Sequence, residues 1–335
     1  MDVKLAIWCR RLRHASCPLS LELTLLRNIK GTPPIAIITT EGSGDGRSRA
    51  RAAELCEALR ESGHAVTLRE FSDLDTLRSW AEAGGILCSL LVCIGGDGTL
   101  NAAVSAALRQ SVPFLPVPSG FGNLFATALR QPRRVDQVVG LINTGARIAV
   151  DVGRYKREFF LCQQSFGLLQ EIQDRTEAQG PRPRVRWLRS MAYYEAAVRQ
   201  ALRDTRVPRL TVAVDGQPVA HDAAVVTVSN VPTYGTWLKL TPSASPIDGL
   251  FDVFVMRGRS KAEILKRLLT HHLNLTSAVD GASVRRGRRI TVAAPHAAAE
   301  EIVILPRRLT VIVSHQTARA LFQTARGTAT DREVA

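Results

Sequence analysis

The chain has 335 residues, of which 45% are hydrophobic and 22% are charged, and its formal net charge at pH 7 is +14. This length suffices for two domains with sizeable cores, and the balance of residue types argues against wholesale disorder. No apolar run approaches the roughly 20 residues that span a bilayer, and the arginines within residues 1–30 make a poor secretory signal. The six cysteines lack metal-ligand spacing, so we expect reduced thiols in a cytoplasmic protein.

The positive charge of the chain favours an anionic partner, either nucleic acid or a membrane surface that contains anionic lipid. Aromatic residues make up only 5% of the chain, so stacking platforms for single-stranded nucleic acid are scarce. We therefore expect an anionic membrane surface as a partner and no nucleic acid. A plainer interpretation also stays open, in which a GC-rich genome simply prefers arginine on solvated faces.

The first half of the chain alternates between short apolar strands and segments of helical periodicity. Residues 1–33 read as a basic extension, in which Leu19–Ile29 could form an amphipathic helix on a membrane or a frayed tail. Between residues 34 and 150 the alternation predicts a parallel sheet with helices on both faces. The predicted strands are 35–38, 66–68, 90–94 and 114–117, and the predicted helices are 50–62, 74–83, 102–108, 123–129 and 135–143.

The segment from Gly95 to Asn101 reads Gly-Gly-Asp-Gly-Thr-Leu-Asn and lies between a predicted buried strand and a predicted helix. Glycines let the backbone approach a phosphate, and the N–H groups at a helix start favour an anion. Asp97 in this segment could hold Mg²⁺ or accept a proton from an attacking hydroxyl. Taken alone, the motif also fits an ordinary strand-to-helix turn.

The second half of the chain is dominated by strand patterns, which predicts an antiparallel sheet or sandwich over residues 151–316. Asp215-Gly216 is a good hairpin turn between two of these strands. Helices are expected at 185–202 and 261–273, and their apolar stripes could face the core or lipid. Residues 317–335 are expected to form a tail. The predicted strands are 159–162, 210–214, 223–229, 238–241, 250–256, 289–293, 302–305 and 309–313.

Four segments in this order resemble the catalytic domain of the diacylglycerol kinase family. Gly95–Thr99 is similar to its GGDGT signature, and Pro116–Asn123 to the P-x-G-T-x-N loop of the lipid-kinase branch. Ser229–Gly235 and Pro242–Val253 are similar to an asparagine-glycine turn and a P-x-A-x-x-D-G-x-x-D-V segment of that branch. The resemblance implies an α/β domain with a parallel sheet at 34–150, followed by an antiparallel β-sandwich domain that carries the lipid substrate at 151–316.

The resemblance also implies an activity, cofactors and site residues. It implies a kinase that transfers the γ-phosphate of ATP, with Mg²⁺, to a hydroxyl of a diacylglycerol-like or sphingoid- or ceramide-like lipid, at the inner face of the membrane. Asp97 would be the catalytic base or a metal carboxylate. The implied nucleotide-binding residues are Gly44, Gly95, Gly96, Asp97, Gly98, Thr99, Asn101, Gly120, Phe121, Gly122 and Asn123. The positions matched to a Mg²⁺ site of bacterial relatives are Ser245, Asp248 and the carbonyl of Leu250.

Two of these assignments have structural alternatives. Asn123 could cap the helix that follows it, which is compatible with a nucleotide contact. Asp248 could form the turn into the next strand while Asp252 pairs with an arginine. Neither the acceptor lipid nor the oligomeric state can be chosen from the sequence, and a homodimer is left open.

The sequence also departs from the family pattern at chemically important positions. Ala102 stands in place of a glutamate, and Phe121 in place of a threonine that contacts the nucleotide. The D-G-E segment proposed to activate the lipid hydroxyl is deleted, which leaves Glu300 and Glu301 as nearby carboxylates. A catalytically degenerate nucleotide- or lipid-binding member is therefore the main alternative, and an NAD kinase-like enzyme ranks below it.

Overall fold

The computed structural model describes residues 32–41, 47–120, 122–178, 206–233, 238–272 and 281–330. The expectations for the N-terminal extension, the helix at 185–202, Gly44 and Phe121 concern residues outside this description. The strands are β1 Ile35–Thr40, β2 Val66–Phe71, β3 Leu90–Gly95, β4 Phe114–Pro118, β5 Ala146–Tyr155, β6 Glu158–Phe160, β7 Gln163–Gly167, β8 Leu210–Val214, β9 Gln217–Ala223, β10 Val225–Ser229, β11 Phe251–Met256, β12 Ala282–Gly287, β13 Arg289–Ala293 and β14 Glu300–Val313. The helices are α1 Arg47–Glu61, α2 Leu74–Glu82, α3 Asp97–Gln110, α4 Leu124–Ala128, α5 Val135–Thr144, α6 Leu168–Ala178, α7 Lys261–His272 and α8 His315–Thr330.

The first four strands form a parallel sheet in the order β2-β1-β3-β4. Every residue of β1, β3 and β4 is buried, so both faces of these strands need cover. Helices α1 and α5 cover one face through Leu55, Leu59 and Leu141. Helices α2 and α3 cover the other face through Leu77 and Val104. This arrangement confirms the predicted α/β architecture.

The later strands form two antiparallel layers. In one layer β14 pairs with β5 and β13, β13 with β8, and β8 with β9. The other layer has the order β12-β11-β10-β7. Side chains of both layers share one hydrophobic core, which includes Val212, Ile290, Val228 and Val253. The predicted β-sandwich is therefore confirmed.

The two halves of the fold are joined through the backbone. Strand β14 also extends the parallel sheet, because Val311 pairs with Phe114 of β4. Strand β5 runs from Ala146 to Tyr155, across the domain boundary placed at residue 150. Because one strand runs through both halves, the domain boundary at residue 150 stays a prediction.

Several local predictions need correction. The tail expected after Gln316 is instead helix α8, on which Ala318 is buried. The strand expected at 159–162 ends at Phe160 in β6, and the strand expected at 238–241 is only an isolated bridge at Leu238. The strands expected at 302–305 and 309–313 form one strand with an irregularity between Leu305 and Leu309.

Other local features agree with expectation. Asp215 and Gly216 have φ angles of +49° and +80° and connect β8 to β9, as a two-residue hairpin turn requires. In the part of the chain that the structure describes, no helix combines the length and the apolarity needed to cross a membrane.

Candidate functional site

Two glycine-containing segments meet at the carboxyl ends of β3 and β4. They are residues 95–99 and 116–123, and we call them the glycine loops. Gly95 and Pro118 are paired in the sheet, and the Ser119 N–H donates to the Gly95 carbonyl over 3.1 Å. A Cβ added to Gly120 would lie 2.7 Å from the Cα of Gly96. Since that neighbour is backbone, it cannot rotate away. Glycine at position 120 is therefore a condition for the contact between the loops.

Asp97 fastens the two loops to each other. Its Oδ2 accepts from the Leu124 N–H over 2.9 Å, and its Oδ1 accepts from the Phe125 N–H over 3.1 Å. The Cys162 thiol donates to Oδ1 over 3.3 Å. Asp97 is partly exposed as a residue, but its carboxylate is enclosed by these groups. This burial raises the pKa of Asp97, and the hydrogen bonds from Leu124, Phe125 and Cys162 oppose the rise.

Asn123 closes its own loop instead of capping helix α4. It is fully buried and adopts the left-handed conformation with φ +50°. Its Oδ1 accepts from the Gly120 N–H over 2.8 Å, while its Nδ2 donates to the Gly120 carbonyl. Asn123 holds the N-cap position of α4, but its side chain makes no cap bond, and Asp97 supplies that bond. The predicted cap function thus belongs to a residue that is distant in the sequence.

The polar side chains that follow Asp97 also contact the protein. Thr99 is buried, and its hydroxyl lies 3.2 Å from the hydroxyl of Thr40. Asn101 Oδ1 accepts from the Leu161 N–H over 3.0 Å. By contrast, Gly98 is exposed, in the first turn of α3. That turn provides N–H groups without acceptors inside the helix, which suits an anion such as a phosphate.

Asn230 connects the glycine loops to the sandwich. Its backbone N–H donates to the Cys162 carbonyl over 2.7 Å. Its Nδ2 donates to the carbonyls of Leu161 and Asp151 over 2.9 and 3.1 Å. Asn230 lies within a motif that the sequence singled out, whereas Cys162 carried no local signal. Only the fold brings the Cys162 thiol to Asp97.

An acid cluster, defined as Asp151, Asp248 and Asp252, lies beyond Asn230. The Arg286 guanidinium pairs with Asp252 through a 2.6 Å contact from Nε and with Asp248 through Nη2. Asp248 Oδ1 also accepts from the Leu250 N–H over 3.1 Å. The arginine pairing given as an alternative for Asp252 is thus present.

Asp151 is fully buried within this cluster. Its two carboxylate oxygens accept from the N–H groups of Gly249 and Arg307, each over 2.7 Å. Burial raises the pKa of Asp151 from 3.8 to about 6, although these two hydrogen bonds oppose the rise. Asp151 therefore holds the Asp248-Gly249 turn and the Arg307 irregularity of β14 together.

Among the residues matched to a Mg²⁺ site, Asp248 already has a cation of the chain as its partner. The carboxylate of Asp248 contacts the Arg286 guanidinium, which it shares with Asp252, so a Mg²⁺ ion at Asp248 would compete with this cation. Ser245 is buried, and its Oγ has no hydrogen-bond partner. Within the described ranges, no three or more His, Cys, Asp or Glu side chains are grouped to hold a metal, and the set of Ser245, Asp248 and the Leu250 carbonyl, which has a single carboxylate, stays a prediction.

The two glutamates near the deleted D-G-E segment have partners of their own. Glu300 accepts from the Tyr155 hydroxyl and pairs with Lys156 Nζ over 2.9 Å. Burial acts to raise the pKa of Glu300, but these two partners outweigh it and the pKa is lowered. Glu301 pairs with Arg289 over 2.5 Å. Neither glutamate has a hydrogen bond to the glycine loops among the described contacts.

Comparison with known proteins finds family matches for two successive parts of the chain. Residues 34–155 match the family described as the diacylglycerol kinase catalytic domain. Residues 176–312 match the YegS C-terminal NAD kinase beta sandwich-like domain. A solved structure titled as a diacylglycerol kinase from Bacillus anthracis superposes with a TM-score of 0.62 at 15% identity, covering 86% of this chain and all of that one. This likeness shows the shared fold.

Named relatives agree with the family matches. A diacylglycerol kinase of Bacillus subtilis is 24% identical over 234 residues, which are 69% of this chain and 76% of that protein. A protein of Shewanella frigidimarina named "Probable lipid kinase YegS-like" is 27% identical over 213 residues, 62% of this chain and 67% of the relative. With the glycine loops in place on the matched fold, the chain belongs to the diacylglycerol kinase catalytic-domain family.

Proposed function

We propose that the protein is an ATP-dependent lipid kinase, which transfers the γ-phosphate of ATP to a hydroxyl of a diacylglycerol-like or sphingoid- or ceramide-like membrane lipid. One observation carries the proposal. The Gly96 and Gly120 loops touch at the ends of two adjacent parallel strands, beside the first turn of α3. Backbone donors at such a position suit the phosphates of a nucleotide, and the kinase family of the chain supplies the reaction type.

Phosphoryl transfer depends mainly on positioning and on charge stabilisation. Gly96, Gly98 and Gly120 would let the backbone approach the phosphates of ATP. A Mg²⁺ ion that arrives with the nucleotide would neutralise phosphate charge. Asp97 holds the second loop against the first, and its Oδ2, which accepts a single described N–H, keeps a lone pair for a further contact. Asp97 is thus our candidate for the group that meets the metal or the acceptor hydroxyl.

The acceptor would approach from a membrane that contains anionic lipid. Exposed arginines on the sandwich support this part of the proposal. They include Arg285, Arg288, Arg307 and Arg308. We place the protein at the cytoplasmic side of that membrane, as a peripheral protein that takes ATP from solution.

Transfer of radiolabel from γ-³²P-ATP tests the proposal. Wild type, Asp97→Asn and Gly140→Ala are incubated with Mg²⁺ and a panel of hydroxylated lipids in mixed micelles. Gly140 lies on α5 with nothing within 4 Å of an added Cβ, so its substitution is a matched control. We expect one class of lipid to be labelled by wild type and Gly140→Ala and not by Asp97→Asn. No labelled lipid across the panel would contradict the kinase.

A second candidate function is a nucleotide- or lipid-binding protein without turnover. The engagement of Glu300 and Glu301 by Tyr155, Lys156 and Arg289 favours it, since neither carboxylate replaces the deleted segment. Loss of a general base typically lowers a rate by about 10²- to 10⁴-fold. Binding of ATP without transfer to any lipid, in the same experiment, would select this function.

A further inference from the structure

The acid cluster contains a cation that belongs to the chain itself. Arg286 lies on β12, next to Asp252 on β11, and the two residues are register partners. Its guanidinium also reaches Asp248 in the turn that leads into β11. The Asp248 and Asp252 side chains are 8% and 1% exposed, so both charges are largely removed from water. Buried carboxylates of this kind require a compensating cation.

A guanidinium meets that requirement by its shape. It is planar, carries its charge at all relevant pH values and presents several N–H donors in a fixed fork. Here one edge of the fork reaches two carboxylates that come from different segments of the chain. Charge-assisted contacts of this type are short and directional. A divalent ion at Asp248 would have to compete with the Arg286 guanidinium, which would stay beside it through Asp252 and repel it.

We propose that Arg286 is the internal counter-ion of Asp248 and Asp252 and takes the place of a divalent metal there, so that the folded state needs no bound Mg²⁺. The Mg²⁺ requirement of the protein then arises only with the nucleotide. The proposal concerns the fold and does not depend on the kinase reaction.

The position of Arg286 also links the acid cluster to the glycine loops. Arg286 holds Asp248, and Asp151 holds the following Gly249 N–H. The Asp151 carbonyl accepts from Asn230, whose own N–H bonds Cys162 beside Asp97. Arg286 therefore stabilises one end of a series of hydrogen bonds that reaches the glycine loops.

Thermal unfolding in the absence of nucleotide tests the proposal. Wild type, Arg286→Ala and Arg285→Ala are compared in EDTA and in millimolar MgCl₂. Arg285 is a matched control, because it is the exposed neighbour on the same strand and its one described hydrogen bond goes to the Val284 carbonyl. We expect the wild-type and Arg285→Ala midpoints to be the same in both media. We expect the Arg286→Ala midpoint to be lower by roughly 5 °C in EDTA and to rise when Mg²⁺ is added.

Direct metal binding gives a second measurement that does not require the variant to fold. Mn²⁺ titrated into nucleotide-free wild type should give the electron paramagnetic resonance signal of the free aquo ion. A wild-type midpoint that falls in EDTA, together with bound Mn²⁺ that is lost in Asp248→Asn, would overturn the proposal. If Arg286→Ala does not fold, the wild-type measurements decide alone.

Discussion

The glycine loops and the acid cluster both join distant parts of the chain, but they do so with different groups. At the glycine loops, the Asp97 carboxylate accepts backbone N–H groups, and the glycine backbones touch each other. Exposed Gly98 leaves the first turn of α3 open to solvent. At the acid cluster, Arg286 and backbone donors already satisfy the carboxylates of Asp248 and Asp151. The glycine loops therefore keep backbone N–H donors for a ligand, whereas the charges of the acid cluster stabilise the fold.

The largest expected effect on the contact between the glycine loops comes from Gly120→Ala, which separates them. The new Cβ would overlap the Gly96 Cα at 2.7 Å, so one loop must move. A displacement of about 1 Å at a reacting centre can lower a rate by about 10²-fold. We expect kcat/KM for ATP to fall by about that factor, while Gly140→Ala keeps the wild-type value. An unchanged kcat/KM in Gly120→Ala would show that the contact between Gly96 and Gly120 does not contribute to the reaction with ATP.

Asp97→Asn should lower the stability of the protein, because one of the two carboxylate oxygens that accept hydrogen bonds between the glycine loops is lost. The amide keeps one oxygen, so either the Leu124 or the Phe125 N–H faces an NH₂ group. Leaving a buried donor unpaired costs about 1–3 kcal/mol of unfolding free energy. Urea unfolding measures this loss. Asp75→Asn serves as the control, because that side chain is 90% exposed, and an equal loss in both variants would contradict the prediction.

Asp151 should give the acid cluster a distinct pH dependence. Its pKa is about 6 in the folded state against 3.8 as the ordinary value, so the folded protein binds the proton more tightly. The contribution of Asp151 to stability is therefore present below about pH 4 and is lost as pH rises to about 6. Its size is about 3 kcal/mol, since each pKa unit corresponds to about 1.4 kcal/mol.

Urea unfolding across pH 4–7 measures this effect as the difference between wild type and Asp151→Asn. Asp215→Asn is a control, since Asp215 is an exposed carboxylate that also accepts backbone N–H groups. A wild-type stability that rises relative to Asp151→Asn over this interval would contradict the sign.

The smallest expected effect concerns the bond between the sandwich and Asp97. Cys162→Ala removes the thiol donor to Asp97 Oδ1, which should cost about 1 kcal/mol. Cys162→Ser keeps a donor of similar size and should restore most of the loss. Chemical denaturation of both variants measures the difference, and an equal stability for alanine and serine would show that the bond contributes nothing.

The sequence predicted the parts of the fold that depend on local pattern. Buried strands β1, β3 and β4 are continuous apolar runs, and the hairpin at Asp215 and Gly216 has residues that accept positive φ. Helix α8 was missed, because Leu321 and Phe322 are its only large apolar residues. The packing of Ala318 and Leu321 against the core stabilises this helix, and that packing cannot be read from its composition.

The candidate site was predictable only where a motif is contiguous. The glycine loops could be found from residues 95–99 and 116–123, but their contact could not. The partners of Asp97 are 27, 28 and 65 positions away. Arg286 likewise lies 38 positions from Asp248, and no local pattern relates the two. Long-range polar contacts depend on how strands are ordered in the sheets, which single segments do not encode.

Hydrogen exchange of the wild-type protein with and without Mg·ATP tests the central claim most directly. The account predicts that nucleotide slows amide exchange in peptides covering both residues 95–99 and 119–125, while exchange at 246–252 and 284–288 stays unchanged. Protection confined to the acid cluster, or no protection in either glycine loop when ATP is bound, would contradict it.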